Sequence, residues 1–374
     1  MKLSSGTVAA RLSRVRENVR ALGIDALVVT HLPNIRYLTG FAGSAGAALV
    51  LPRACRLIVD FRYVTAATEL TASLGGLVTL ETFDRSYDEA IVDLLRREGS
   101  QRVGIEAAYL PVARFNAMSA GLASRAALPV DSSHAAPALV PTERVVERAR
   151  MIKDQVEIET LREAGRRLGR IATEAHKLVR EGRTEREIAA DLESAMRQEG
   201  FTRPAFETIV ASGPHSAFPH ARPTDRRVAA GEPTVLDFGG VYDGYCVDLT
   251  RTVQLGAISQ PQERLYAAVR EAQQAAIEAV RPGVAASSID AAAREVLERH
   301  GLGEAFGHGT GHGLGLEVHE EPRIARLSPR LPDQVLEPGM VFTIEPGAYV
   351  PGLGGVRIED DVLVTDHGCE VLTR

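Results

Sequence analysis

No hydrophobic run in this sequence approaches the roughly 20 residues that a membrane-spanning helix needs, so no membrane partner is expected. Cysteine is scarce. Cys55, Cys246 and Cys369 are odd in number and widely spaced, which excludes a disulfide framework and fits a reducing cytoplasm. Positive charge is not in excess: Lys+Arg 43 against Asp+Glu 49 leaves −6, which argues against a nucleic-acid partner. No Gly-Lys-Ser/Thr follows a glycine-rich stretch, and no strand–Gly-x-Gly-x-x-Gly–helix unit is present, so a phosphate loop is not expected. Tandem repeats of short period and low-complexity tails are also missing. What is present is an ordinary globular composition, 45% hydrophobic and 25% charged, over 374 residues. That length accommodates two domains, each with its own core.

The arginines near the start could suggest a targeting segment, but an ordinary first helix is the expectation. Leu12, Val15, Val19 and Leu22 fall at helical spacing and Gly23 can end the helix, which predicts an ordinary first helix. From residue 24 to about 140, strand-like runs (26–30, 47–51, 56–60, 77–81, 102–106) alternate with helical ones (62–73, 86–98, 111–123). This alternation predicts an α/β layer domain on a mixed or parallel sheet. Asn34–Phe41 and Asp60–Tyr63 read as polar-aromatic surface loop and strand-end chemistry. The Pro-, Ala- and Ser-rich stretch Pro129–Pro141 marks a domain boundary, giving domains 1–141 and 142–374. The charged run Glu143–Lys153 beyond it reads as a solvated helix face. Asp154 with Glu157, and Thr184 with Glu187, form capping boxes that open helices to about Val179 and Glu199. Further helices near 261–280 and 287–300 end at Pro282-Gly283 and Gly301. With apolar strands between these helices, the second half is α+β.

The chemistry gathers in three places. Asp243-Gly244 is a hairpin turn between apolar, β-branched runs, which pairs Tyr242 with Tyr245, Gly239 with Asp248 and Asp237 with Thr250. Asp237 and Asp248 then become diagonal neighbours on one face, unless Gly239-Gly240 forms a bulge. Taken alone, two aspartates near a turn are equally well explained by turn chemistry and solvent. The second place is a reflection about Gly352, which sets Glu345 opposite Glu359, with Arg357 nearby. The third is the stretch from Gly307 to Glu320, where His308, His312 and His319 lie among glycines that let the backbone pass close to a bulky or charged group. His220, in Pro219-His220-Ala221-Arg222, singly reads as a loop histidine. Four carboxylates and a histidine on apolar strands cannot all be solvated, and unpaired buried charge is very costly. Two divalent ions would balance them. The oxygen-rich set favours Mn²⁺ or Co²⁺ over structural Zn²⁺.

These residues resemble the pita-bread metallopeptidases, the superfamily of methionine aminopeptidase, prolidase and aminopeptidase P. The resemblance covers the whole chain: the segments NIRYLTGF and DFRY are similar to the creatinase-type N-terminal domain of the proline-specific members. It implies that Asp237 chelates one metal ion, that His312 and Glu345 bind the other, and that Asp248 and Glu359 bridge them. Glu345 becomes the proton relay for a water attacking the carbonyl before proline. His319 and His220 support the oxyanion or hold the scissile unit, and His308 lines the prolyl side. Arg357 becomes a supporting partner and Tyr349, by its offset from Glu345, a substrate-site tyrosine. The implied protein is a homodimeric cytoplasmic enzyme acting on peptides with Xaa-Pro at the N-terminus. The leading expectation is an Xaa-Pro aminopeptidase and the nearest alternative an Xaa-Pro dipeptidase (prolidase). With all five ligand positions filled, a non-catalytic pita-bread module or a metal-free creatinase-like hydrolase is disfavoured.

Overall fold

The computed structural model describes residues 3–124, 137–329 and 332–374. It divides into two compact units, residues 1–150 and 151–374.

In the first unit, helix α1 (Ser5–Ala21) buries Val8, Leu12, Val15 and Val19, the stripe its spacing predicts. The elements that follow are β1 (Ala26–Val29), α2 (Leu32–Thr39), β2 (Ala47–Val50), β3 (Cys55–Val59), α3 (Val64–Ser73) and β4 (Thr79–Thr82). Next come α4 (Tyr87–Glu98), β5 (Arg102–Glu106), α5 (Val112–Ala123), β6 (Ala138–Thr142) and the short α6 (Glu147–Met151). The strands form one mixed sheet in the order β4-β3-β2-β1-β5-β6.

Three expectations change here, for Asn34–Phe41, the Pro-rich stretch and the charged run, while Asp60–Tyr63 keeps its exposed strand-end character. Asn34–Phe41 is not a surface loop: Leu32–Thr39 is a helix with Asn34, Ile35, Tyr37 and Leu38 buried. Its polar residue is satisfied internally, since Asn34 donates to Glu106 at 2.7 Å and accepts from Arg150 at 2.6 Å. Asp60–Tyr63 is a single tight turn in which the Asp60 carboxylate caps the Arg62 amide and pairs with its guanidinium, while Phe61 is 84% exposed. The Pro-rich stretch lies partly outside the described residues (125–136), but its end is β6, paired parallel to β5. Pro141 is tolerated because β6 is an edge strand. The charged run is not wholly solvated either, because Arg150 and Lys153 are buried. Lys153 pairs with Glu320 at 3.0 Å.

The second unit begins with α7 (Gln155–Ala175) and α8 (Glu185–Gln198), each opened by a capping box closed in both directions. Then follow β7 (Arg203–Pro204), β8 (Ile209–Ser212), the hairpin β9 (Pro233–Tyr242) and β10 (Tyr245–Gln254), α9 (Gln260–Ala279) and α10 (Ala286–Arg299). The remaining strands are β11 (Gly311–Gly313), β12 (Glu320–Ile324), β13 (Val341–Ile344), β14 (Gly347–Val350), β15 (Gly354–Arg357), β16 (Asp360–Val364) and β17 (Cys369–Val371). One sheet runs β10-β9-β7 with β8 also on β9, a second runs β12-β11-β13-β16-β17, and β14-β15 is a separate ribbon. The apolar faces of α9 and α10 pack on Phe342, Ile344, Val356 and Val362. Polar residues of β9, β10, β13 and β16 are therefore held between layers, away from bulk water. Among the described residues, no helix is long and apolar enough to cross a membrane.

Candidate metal centre and active site

The β9–β10 hairpin has the register its sequence predicts, unbroken from Tyr242↔Tyr245 through Gly239↔Asp248 and Asp237↔Thr250 to Pro233↔Gln254. Asp243 and Gly244 both take positive φ (46° and 87°), the pattern of a two-residue turn that matches strand twist. Gly239 and Gly240 form no bulge. They are small because a Cβ on Gly239 would come within 2.6 Å of the Phe206 ring and one on Gly240 would overlap the Phe201 ring. Asp237 and Asp248 are buried, which rules out the solvated-turn reading.

The second carboxylate pair lies where two ladders of one register part. β13 pairs with β16 as far as Ile344↔Asp360, and β14 with β15 as far as Gly347↔Arg357. At the gap the Glu345 amide turns to the Thr310 carbonyl (2.7 Å) and the Glu359 amide to the Thr250 carbonyl (3.1 Å). Those bonds tie the ribbon to the Gly-His stretch and to β10. β11 can approach β13 because position 311 is glycine; a Cβ there would overlap the Thr343 carbonyl.

These elements bring Asp237, Asp248, His312, Glu345 and Glu359 together. His312 Nε2 lies 3.4 Å from Glu345 and 4.0 Å from Asp248. Its Nδ1 stands 3.1 Å from the Gly313 carbonyl, which can only accept, so Nδ1 carries the proton and Nε2 presents a lone pair to the carboxylates. Ligand atoms of Asp248, His312 and Glu359 all lie within 4.8 Å of one another. Arg357 pairs with Asp237 and is the buried cation of the cluster. The remaining negative charge is uncompensated: burial, Glu359 and Asp237 push the Asp248 carboxyl well up, and burial, Glu345 and Asp237 do the same to Glu359. Glu345 is pushed up to about 8, mainly by burial and also by Asp237. Asp237 Oδ1 and Asp248 Oδ1 are buried without a hydrogen-bond partner. Orphaned carboxylate oxygens and an imidazole lone pair in one buried cluster are a donor set that fits divalent metal ions.

Around this cluster, Arg357 donates to the Tyr349 hydroxyl at 2.7 Å, and His308 Nε2 lies 3.0 Å from the same hydroxyl. His308 Nδ1 donates to the Gly309 carbonyl at 2.8 Å, so Tyr349 must be the donor to Nε2. His319 stacks edge-on against His312 with centroids 4.3 Å apart. His220 is exposed but near enough for its charge to oppose those of His308 and His319. All ten residues singled out in the sequence thus border one site.

Four supporting residues had no role in the sequence reading. Thr250 donates to Glu359 at 2.6 Å, and Thr343 to Glu345 at 3.3 Å. Asp361 accepts from the Asp248 amide at 3.0 Å. Arg323 is the register partner of His312 across β11–β12. Thr250 was visible as the partner of Asp237; for the others no spacing signal exists, because their elements meet only in the folded unit.

A buried carboxylate–imidazole donor set bordered by histidines is one that a metallopeptidase can use. Residues 159–366 match the model of metallopeptidase family M24, and residues 11–152 that of the creatinase/prolidase N-terminal domain. The chain belongs to the M24 family, which implies divalent metal ions. It is 34% identical over 366 residues to the Xaa-Pro dipeptidase of Pyrococcus horikoshii, covering 97% of each chain. Among solved structures it is similar to the Xaa-Pro dipeptidase from Bacillus anthracis (TM-score 0.90, 35% identity, 98% of each chain). It is also similar to the X-Pro aminopeptidase from Thermotoga maritima (TM-score 0.83, 34% identity, 96% of this chain and 97% of that one). With dipeptidases prominent among these relatives, the aminopeptidase expectation ranks behind the dipeptidase alternative.

Proposed function

We propose that this chain is an Xaa-Pro dipeptidase, which hydrolyses the bond before proline in dipeptides. The observation that carries the reading is Arg323. A prolidase needs a cation for the free carboxylate of its substrate, and a peptide continuing past proline would leave that cation's partner missing. Arg323 lies opposite His312 in the ladder, where side chains share a face, and is exposed. It lines a cavity of about 1090 Å³ together with His308, and has no ion pair among the described residues. Of the other arginines near the site residues, Arg222 pairs with Glu207 at 3.1 Å and Arg357 is taken by Asp237.

Asp237, Asp248, His312, Glu345 and Glu359 would hold two divalent ions, Mn²⁺ as the first choice and Co²⁺ or Zn²⁺ as alternatives. When bound, the ions supply Lewis-acid chemistry and a nucleophilic water at neutral pH. Glu345, its carboxylate freed of its neighbours' repulsion once the ions are bound, would take a proton from the attacking water and pass it to the departing prolyl nitrogen. His319 and His220 support the carbonyl oxygen as it gains charge. His308 and Tyr349 border the prolyl ring, and Arg357 orients Asp237. The homodimer and the cytoplasmic location belong to the same proposal.

The test is kcat/KM for Ala-Pro beside Ala-Pro-Ala in wild type and Arg323→Ala. A dipeptide preference of about a hundredfold is expected, lost in the variant mainly through KM, since one charge-assisted contact contributes about 1.5–3 kcal/mol. Equal or better cleavage of the tripeptide would move the protein to the aminopeptidase reading that the Thermotoga likeness keeps open.

A further inference from the structure

Outside the site described, the carboxylate of Glu185 is fully buried and takes no part in the chemistry. It stands at the first position of α8, just after the capping Thr184. Its Oε1 accepts from the Ser212 amide (2.8 Å) and hydroxyl (2.9 Å), and its Oε2 from the Thr224 amide (3.0 Å) and hydroxyl (2.7 Å). His215 Nδ1 donates to the same carboxylate, at 3.0 Å from Oε2. Burial pushes the Glu185 carboxyl up, but the bonds from Ser212, Thr224 and His215 outweigh it and hold it below the usual range. Ser212 ends β8, and Thr224 lies shortly after His220. One carboxylate therefore joins both ends of the loop that carries His220. That loop is fixed at two further points, where the Gly355 amide donates to Ser216 Oγ at 2.8 Å and Arg357 donates to the Pro219 carbonyl at 3.2 Å. His220 is itself exposed, so packing does not hold it in place.

We propose that Glu185 is a positioning residue: by closing the loop between Ser212 and Thr224 it sets where His220 meets the substrate. The proposal rests on the reading of His220 as a substrate-site residue. Loop closure by a carboxylate is stiffer than by an amide, because both oxygens accept. Glu185→Gln replaces one of them with an NH₂ group facing donors, so one end of the loop is released while side-chain volume is kept.

The experiment is a double-mutant cycle on the Mn²⁺-loaded full chain, with Ala-Pro as substrate. Glu185→Gln is expected to lower kcat by about 10- to 100-fold, the scale of a misplaced catalytic-site group, with metal content unchanged. In a His220→Ala background the same substitution is expected to change kcat by less than about twofold. Thr224→Val, which removes a single donor, should give a smaller loss in the same direction. Losses that multiply across the cycle would overturn the proposal, because Glu185 would then act on the fold at large. A second readout needs no activity: amide hydrogen exchange over residues 213–223 should rise about tenfold or more in Glu185→Gln, with β9 and β10 unchanged. Unaltered protection of the loop would also overturn it. If wild type cleaves neither Ala-Pro nor Ala-Pro-Ala, the dipeptidase reading falls and hydrogen exchange alone decides the clamp.

Discussion

His308 donates its Nδ1 proton to the Gly309 carbonyl and accepts a hydrogen bond at Nε2 from the Tyr349 hydroxyl, so a proton on Nε2 would break the chain. Burial, helped by Arg357 and His220, lowers its pKa to about 4, and burial raises Tyr349 to about 12, which keeps the phenol a donor. The consequence for stability has a definite sign. Between about 6.5 and 4 the unfolded chain binds more protons at this residue than the native one. Stability is therefore complete above pH 6.5 and is lost as pH falls toward 4. The contribution between pH 7 and 5 is about 2 kcal/mol. His308→Gln should flatten the stability curve over that window by this amount in urea titrations. An imidazole titration midpoint near 6.5 for His308, measured by NMR, would contradict the account.

At the scale of elements, close approach of strands decides the site, and glycine permits it. In Gly311→Ala the new Cβ meets the Thr343 carbonyl, so β11 must move off β13 and carry His312 with it. A loss of about 1–3 kcal/mol is expected, with weaker Mn²⁺ binding by calorimetry. Gly307→Ala, which meets nothing within 4 Å, should stay within about 0.5 kcal/mol. Unchanged metal affinity in Gly311→Ala would mean that β11 does not fix the ligand. The same close approaches explain what was legible in the chain. Strand-scale alternation and the Asp-Gly turn gave the hairpin register residue for residue, because turn chemistry is local. The Glu345–Glu359 facing was also readable by reflection, although the ladder is broken there. Helix α2 was hidden, since Asn34 is polar in sequence yet internally paired with Glu106 and Arg150. Strand β6 was hidden by its proline, and Arg323 because β12 reaches His312 only through tertiary pairing.

For the whole molecule, the decisive quantity is negative charge held without enough cation. Burial with mutual repulsion raises Asp248 and Glu359 well above the carboxylate range, and Glu345 to about 8. In chelated protein the native state therefore binds more protons than the unfolded chain from about pH 4.5 to 8. For Glu345, stability present below that window is lost as pH rises through it, by about 1.4 kcal/mol per pH unit, and the raised carboxyls of Asp248 and Glu359 act in the same direction. The interval from pH 6.5 to 8 lies outside the titration of His308, so the two effects separate. Ligation removes the repulsion, and Mn²⁺ at a hundredfold over its Kd should add about 2.7 kcal/mol. For a unit of this size that corresponds to about 5–10 °C in Tm. Calorimetric melts at pH 6.5 and 8, with and without exhaustive chelation, should show a steep fall only in the chelated sample. Peptidase activity should vanish with the metal and return with Mn²⁺ or Co²⁺. A chelated protein with no metal by elemental analysis that keeps both its melting temperature and full activity would exclude a metal-holding role for these carboxylates.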